Sequence, residues 1–413
     1  MPTPELLNDP KRAWQTFEPG PGDAWDLARV GHLHRRAGFA ASWATLERDL
    51  GSGPAASVDR LLEGEPKSAD GSNAEEFDRL LNDMARNVAF GGNLSTAQGV
   101  WLYRLIFTPH PLRERMTLFW HNHFATSHTK VQDVPLMLRQ IALLRTHALG
   151  DFRALLDAIG KDPAMLIWLD STSNRKAKPN ENYAREVMEL FTLGRGHYTE
   201  KDIQEAARAF TGWFVVGGSF REMPAQHDDG SKTIFGRTGR FEGGDVARIL
   251  LDQPACAAFL CRKLFRQFVS DVDSPSDALI APLAEALRSN DYNIRVPVEL
   301  ILRSRLFHDP AMRRRRVKSP VEFGVGLVRS LEVLKPTVSA EALAQACARM
   351  GESLLVPPSV AGWEGGSAWI NTTTTVERTN LVLGMLSASD AAFGKRLDPR
   401  ALAERHGFSA PAE

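Results

Sequence analysis

The chain has 413 residues, with 50 lysines and arginines against 50 aspartates and glutamates, so its formal net charge is zero. That balance argues against a general binder of nucleic acid or anionic membrane, which carries surplus positive charge. At 43% hydrophobic and 24% charged residues the composition is that of a folded globular protein, and no run reaches the roughly 18 apolar residues that a membrane-spanning helix needs. At about 150 residues per domain, the length fits two or three domains, or one large domain with a satellite. The start, Met1-Pro2-Thr3-Pro4-Glu5, lacks the basic stretch and apolar run of a signal peptide. Cys256, Cys261 and Cys347 cannot build a disulfide framework and form no C-x-x-C pair. Together these features predict a reduced, cytoplasmic protein.

In chain order, a Pro/Gly/Asp-rich arm gives way to helical spacing at 26–39, 42–50 and 56–62. A polar connection at 63–73 leads to helical periodicity over 74–106, broken by Gly91-Gly92. Helices are predicted at 111–124, with proline early, and then at 135–149, 151–160 and 162–170. After a polar turn at 171–179, Asn180 offers an N-cap for a helix at 182–193 that Gly194 ends. Thr199-Glu200-Lys201-Asp202 resembles a capping box opening a helix to about Thr211. The character then changes: 213–216 and 232–235 are β-like, and Gly217-Gly218, Asp229-Gly230 and Gly236 supply turns. Helices resume at 244–251, 254–269, 276–289, 296–304, 320–333 and 339–350, and a Pro/Gly/Trp loop at 356–371 precedes a last helix at 375–386. No repeat of fixed period appears. The pattern predicts a mainly α fold, a multi-helical orthogonal bundle with a small β-hairpin insertion. Its divisions are an arm at 1–31, a helical core at 32–212, the insertion at 213–243 and a C-terminal helical part of the same core at 244–413.

Eight strings stand out: HLHRRAGF (32–39), FWHNHF (119–124), NENYARE (180–186), ELFTLG (189–194), ARAFTGW (207–213), HDDGSK (227–232), KSPVE (318–322) and PPSVAGW (357–363). From about His32 to Asn380 the chain resembles the bacterial family known as domain of unknown function 1800. The resemblance implies no activity. Family genes often neighbour one for a sulfatase-like protein, which the resemblance offers as a partner. Many members carry an export signal that this chain lacks, and some carry histidine where this chain has Phe191.

Within FWHNHF, His121 and His123 are of a type that ligates Zn, Fe, Cu or Ni. In a continuous helix, positions i and i+2 face different ways, so the two converge only if the helix unwinds there. The alternative is one histidine bonded in the core and one at the surface. In the 182–193 helix, Asn182, Glu186 and Glu189 share a face with Arg185 alongside, as metal ligands, as an acid/base pair or as a structural ion-pair network. In the predicted turn, His227 and Asp228 are candidate metal ligands and Lys232 a candidate anion holder, although Asp229-Gly230 is a common turn pair that needs no further role. Trp213 and Trp363, each beside a glycine, are candidate substrate walls, against the rule that most tryptophans pack in cores. The run Arg313-Arg314-Arg315-Arg316 reads as a solvated helix end or a partner for carboxylates. Phosphate-loop, dinucleotide and nucleophile-elbow patterns are absent.

These constellations predict a metal-dependent enzyme, a hydrolase holding Zn, Fe or Mn through His121, His123, His227 and Asp228. Glu186 is the expected general base, with Glu189 beside it, Arg185 or Lys232 the anion stabiliser, and Asn182, Trp213 and Trp363 the substrate contacts. A carbohydrate is the expected substrate, and paired carboxylates alone also cleave glycosidic bonds. The alternative is a non-catalytic scaffold or maturation partner for the sulfatase-like protein. No nucleic-acid or membrane partner is expected.

Overall fold

The computed structural model describes residues 5–332, 338–387 and 399–408. It is mainly helical, with two small two-stranded antiparallel sheets. Eight helices and four strands frame the site. They are α1 (Leu27–Ala37), α2 (Trp43–Glu63), α3 (Leu94–Phe107), α4 (Pro111–His123), α5 (Asn182–Glu186), α6 (Pro254–Phe268), α7 (Pro320–Ser330) and α8 (Ala340–Arg349), with β1 (Trp213–Val216), β2 (Ser219–Glu222), β3 (Lys232–Ile234) and β4 (Arg237–Gly239). Among the described residues no helix is long and apolar enough to cross a membrane.

Local chemistry sets most boundaries. Side chains of Asp26, Ser42, Asn93 and Ser319 accept the orphan N–H groups that open α1, α2, α3 and α7. The Thr199/Asp202 capping box is present at the start of the Glu200–Ala209 helix. Gly92, at φ +66°, ends the Ala74–Gly91 helix just before α3, where the Gly91-Gly92 pair predicts a break.

Three local expectations are revised. The helices predicted at 42–50 and 56–62 join as α2, kinked at Gly53 (φ +83°), because Pro54 restarts the second half where its missing N–H costs nothing. The predicted 182–193 helix is α only through Glu186, and then widens into a π-helix, Val187–Thr192, closed by Leu193 N–H on Met188 O at 2.8 Å. The β region holds two hairpins: β1 pairs with β2 across Gly217-Gly218, and β3 with β4 across Phe235-Gly236. Positive φ at both residues of each turn lets each hairpin close on itself.

A continuous hydrophobic core joins side chains from Leu6 to Met385. The N-terminal arm packs against this body, the Trp14 indole donating to Leu279 O at 2.7 Å and Thr16 bridging Ser304.

Near the N-terminus of α7, at the heart of this apolar body, lies an ionic cluster. Arg115 of α4 is fully buried, 2.8 Å from Glu322 of α7. Arg316 grips the same carboxylate with two contacts of 2.5 and 2.7 Å. Glu322 also accepts from Ser319 N–H in a capping box, at the positive end of the helix. Burial alone would raise its pKa, but Arg115 and Arg316 hold it down to about 2. The basic run thus serves carboxylates, with Arg315 on Asp273 at 2.7 Å as well.

Glu322→Gln leaves two buried guanidinium groups without their anion, so it should destabilise the fold by about 3–5 kcal/mol. Because the folded pKa lies below the unfolded one, this stabilisation is present above about pH 4.3 and fades only as pH falls toward 2. Urea denaturation of wild type and variant at neutral pH and near pH 2 checks both the magnitude and the convergence.

Candidate functional site

The C-terminal turn of α4 stays helical through His123, so His121 and His123 diverge. His121 Nε2 accepts Leu355 N–H at 3.2 Å, which puts its proton on Nδ1, and the ring packs edge-on to Trp101 and Trp363. Burial lowers its pKa to about 3, so it is a neutral core histidine. Asn122, between them, is a clamp: its Oδ1 accepts Trp363 N–H at 2.7 Å and its Nδ2 donates to Trp363 O at 3.3 Å. A Cβ at Gly362 (φ +77°) would lie 2.2 Å from Asn122 Oδ1, so the Gly-Trp pair is required by this close approach.

His123 faces the other way. Its Nε2 lies 3.1 Å from Phe191 O, and since a carbonyl only accepts, Nε2 carries the proton. Nδ1 therefore accepts, and its donor is Lys263 Nζ of α6 at 3.0 Å. Lys263 also donates to Leu190 O at 3.2 Å and lies over the Phe259 ring. The carbonyls that Lys263 and His123 reach belong to the end of the π-helix. Burial first, then the neighbouring Arg266, lower the Lys263 pKa to about 7. Burial and the lysine likewise hold His123 well below its ordinary value.

Both residues line a cleft of about 270 Å³, together with Asn122, Arg266, Asp271, Arg316, Ser319, Glu322, Glu352, Trp363 and Trp369. Glu352 is buried and follows the helix-ending Gly351 (φ +104°). It accepts Val321 N–H at 2.8 Å, at the start of α7. Burial raises its pKa to about 7, with the Glu322 anion adding to the shift and Ser319 and Val321 opposing it. Asp271 is also raised by burial: one carboxylate oxygen accepts Val317 N–H at 3.0 Å and the other, buried, has no protein partner. At neutral pH the cleft therefore pairs an amine poised to accept a proton with a carboxyl poised to give one.

Of the residues expected from sequence to form the site, only His123 and Trp363 line this cleft. Trp213 and His227 line a second one, of about 230 Å³, between the β1–β2 hairpin and Gly243. There His227 Nδ1 donates to Thr211 O at 2.8 Å, and Gly212 (φ +87°) passes so close that a Cβ would sit 2.9 Å from Met223 O. Asp228 is held by Arg208 at 2.7 and 3.2 Å. Lys232 is buried beneath the turn, its ammonium on Asp228 O and Gly230 O, where it pins the loop. The π-transition separates the roles of Glu186 and Glu189. Glu186 is half-buried and raised by burial and by Glu189, whereas Glu189 is lowered by Tyr198 and Arg195, which bond it. Arg185 pairs with Glu181 and Glu200, and the Asn182 side chain is exposed, 3.4 Å from Asp170.

The expected ligand set thus does not converge. His121 Nε2, both nitrogens of His123, Nδ1 of His227 and both oxygens of Asp228 are spent on protein partners. Among the described residues no three His, Cys, Asp or Glu side chains are grouped to hold a metal ion. Sequence reasoning missed Lys263, Glu352 and Asp271.

Residues 32–410 match the family model described as a protein of unknown function (DUF1800), and the chain belongs to that family. Neither the curated proteins nor the solved structures contain a match to it.

Glu352→Gln supplies a neutral side chain of the same shape, so it tests the protonated state directly. The folded pKa is raised, so the wild-type carboxyl stabilises below its unfolded value near 4.3 and loses that contribution as pH rises through about 7. Thermal melts should show the variant matching wild type at pH 4 and exceeding it at pH 9. A constant difference across that range would place an ionised carboxylate at Glu352 throughout.

Proposed function

We propose that the chain is a hydrolase whose acid–base pair is Lys263 and Glu352, acting in the cleft between α4, α6 and α7. The observation that carries this reading is the pairing of a half-buried lysine, bonded to His123 and a carbonyl with no carboxylate partner among the described residues, with a buried carboxyl in one polar cleft. Neutral Lys263 takes a proton from water as the water oxygen attacks, and Glu352 gives its proton to the oxygen that leaves. His123 positions the amine. With Lys263 and Glu352 uncharged, the acidic Asp271, Glu322 and Glu364 face Arg266 and Arg316, so neither sign dominates the lining. With Trp363 and Trp369 in the wall, this favours an uncharged polyhydroxylated ligand, a carbohydrate, over a strongly anionic one. A metal-dependent version of the same hydrolysis would require His121, His123, His227 and Asp228 to leave their present partners.

A second reading is supported by the close pairing of charges in the 181–232 region. Arg185, Glu189, Arg208, Asp228 and Lys232 each hold a structural partner, as in a scaffold or maturation partner of a sulfatase-like protein.

The test is a panel of chromogenic glycosides and carboxylic esters assayed with wild type, Lys263→Met and Glu352→Gln. On any hydrolysed member each variant should lose roughly 10²–10⁴-fold in kcat. The wild-type rate should peak near pH 7, falling on the acid side as Lys263 gains a proton and on the alkaline side as Glu352 loses one. Turnover that survives both substitutions would overturn the assignment, and no turnover anywhere on the panel would favour the scaffold.

A further inference from the structure

A second polar pocket, of about 350 Å³, lies between α1, α2 and the C-terminal end of α7. That is within the range of roughly 300–1,000 Å³ typical of small-molecule sites. Its floor is Asp49, fully buried, whose Oδ2 accepts His34 Nε2 at 2.8 Å. Asp49 Oδ1 receives Arg48 at 2.9 Å and Arg60 at 2.8 and 3.1 Å. Glu65 completes the hold on Arg48 with contacts of 2.6 and 3.1 Å.

The charges lining this pocket do not cancel. Arg48, Arg60, Lys67 and Arg329 face only Asp49 and Glu65, an excess of two positive charges among these six side chains. Arg329 has no carboxylate in direct contact among the described residues and feels Glu65 only at a distance. Its Nε donates to Ala40 O at 3.2 Å and its Nη1 to Ile106 O at 2.7 Å. Two backbone carbonyls fix the plane of this guanidinium without neutralising it, so its charge is held ready for a ligand. Burial lowers its pKa to about 10, a cost that an anion in the pocket would offset.

We propose that this pocket is a binding site for a tetrahedral oxyanion, a phosphate or sulfate group, taken either as the free ion or on a small ester. Fixed guanidinium forks match such oxygens in a planar, bidentate way, and Lys67 at the exposed rim adds a point charge. The site is distinct from the Lys263/Glu352 cleft but is built on the same two helices. Pro111 of α4 and Arg329 of α7 line the pocket, while Asn122 and Ser319, at or near the other ends of those helices, line the cleft.

Isothermal titration of the full chain with inorganic phosphate, inorganic sulfate and methyl phosphate, at low and at 0.5 M salt, tests the proposal, with added salt screening the contacts. Saturable one-site binding that weakens with salt, and that falls at least tenfold in Arg329→Gln and in Lys67→Ala, is the expected result. Tighter binding of methyl phosphate than of phosphate would identify an ester as the ligand, and the reverse order the free ion. Lys67 is exposed, so its variant folds even if Arg329→Gln does not, and the His34 imidazole resonances offer a second readout by shifting on phosphate addition. Absence of saturable binding, or binding unchanged in folded Lys67→Ala with His34 unmoved, would overturn the site.

Discussion

Buried Arg115 and half-buried Arg316 both pair with the buried Glu322 carboxylate, and this cluster forms one wall of the cleft. Two cations and one anion in an apolar body are tolerable only in this bonded geometry, because removing either partner leaves an uncompensated buried charge. The cluster fixes α4 against the start of α7. Its neighbour Glu352 sits at the same helix start, where burial keeps its proton on, with the Glu322 charge adding to that effect and Arg115 opposing it. The proton donor proposed for the cleft is thus a consequence chiefly of its burial.

The proton acceptor has a different origin. α5 gives way to a π-turn after Glu186, and that turn presents the carbonyls of Leu190 and Phe191 to α4 and α6. One is satisfied by His123 Nε2–H and the other by Lys263, and His123 is thereby left with a bare Nδ1 that only a donor can meet. A lysine held between a neutral imidazole and a carbonyl, with Arg266 nearby and no carboxylate in contact among the described residues, gains little by keeping its extra proton. The backbone irregularity and the lysine's unusual basicity are linked by these three hydrogen bonds, consistent with the tendency of π-turns to occur at functional sites.

The helical architecture was legible because its signals are local. Caps at Asp26, Ser42, Asn93, Thr199 and Ser319, and the glycine break at Gly92, act within a few residues. His123 and Trp363, expected from short strings of aromatic and imidazole groups, both line the one cleft. Other expectations failed where long-range geometry decides. His121 is spent on Leu355, more than two hundred residues away, and Asp228 on Arg208. The shared face of Glu186 and Glu189 assumed an unbroken α-helix, which the π-turn removes. Lys263 and Glu352 carry no motif: each is an ordinary residue type whose character comes from burial and from partners brought by distant segments. A single sequence does not encode that burial in any short pattern.

The central claim is that Lys263 is uncharged near neutral pH because of where it sits. Reductive ¹³C-methylation of the lysines, followed by NMR titration with Lys263→Arg to assign the resonance, measures this without any substrate. The account predicts one methyl-lysine signal that titrates near pH 7 and vanishes in the variant. A Lys263 signal titrating near 10 with the other lysines would show an ordinary ammonium in the cleft and would contradict the acid–base assignment.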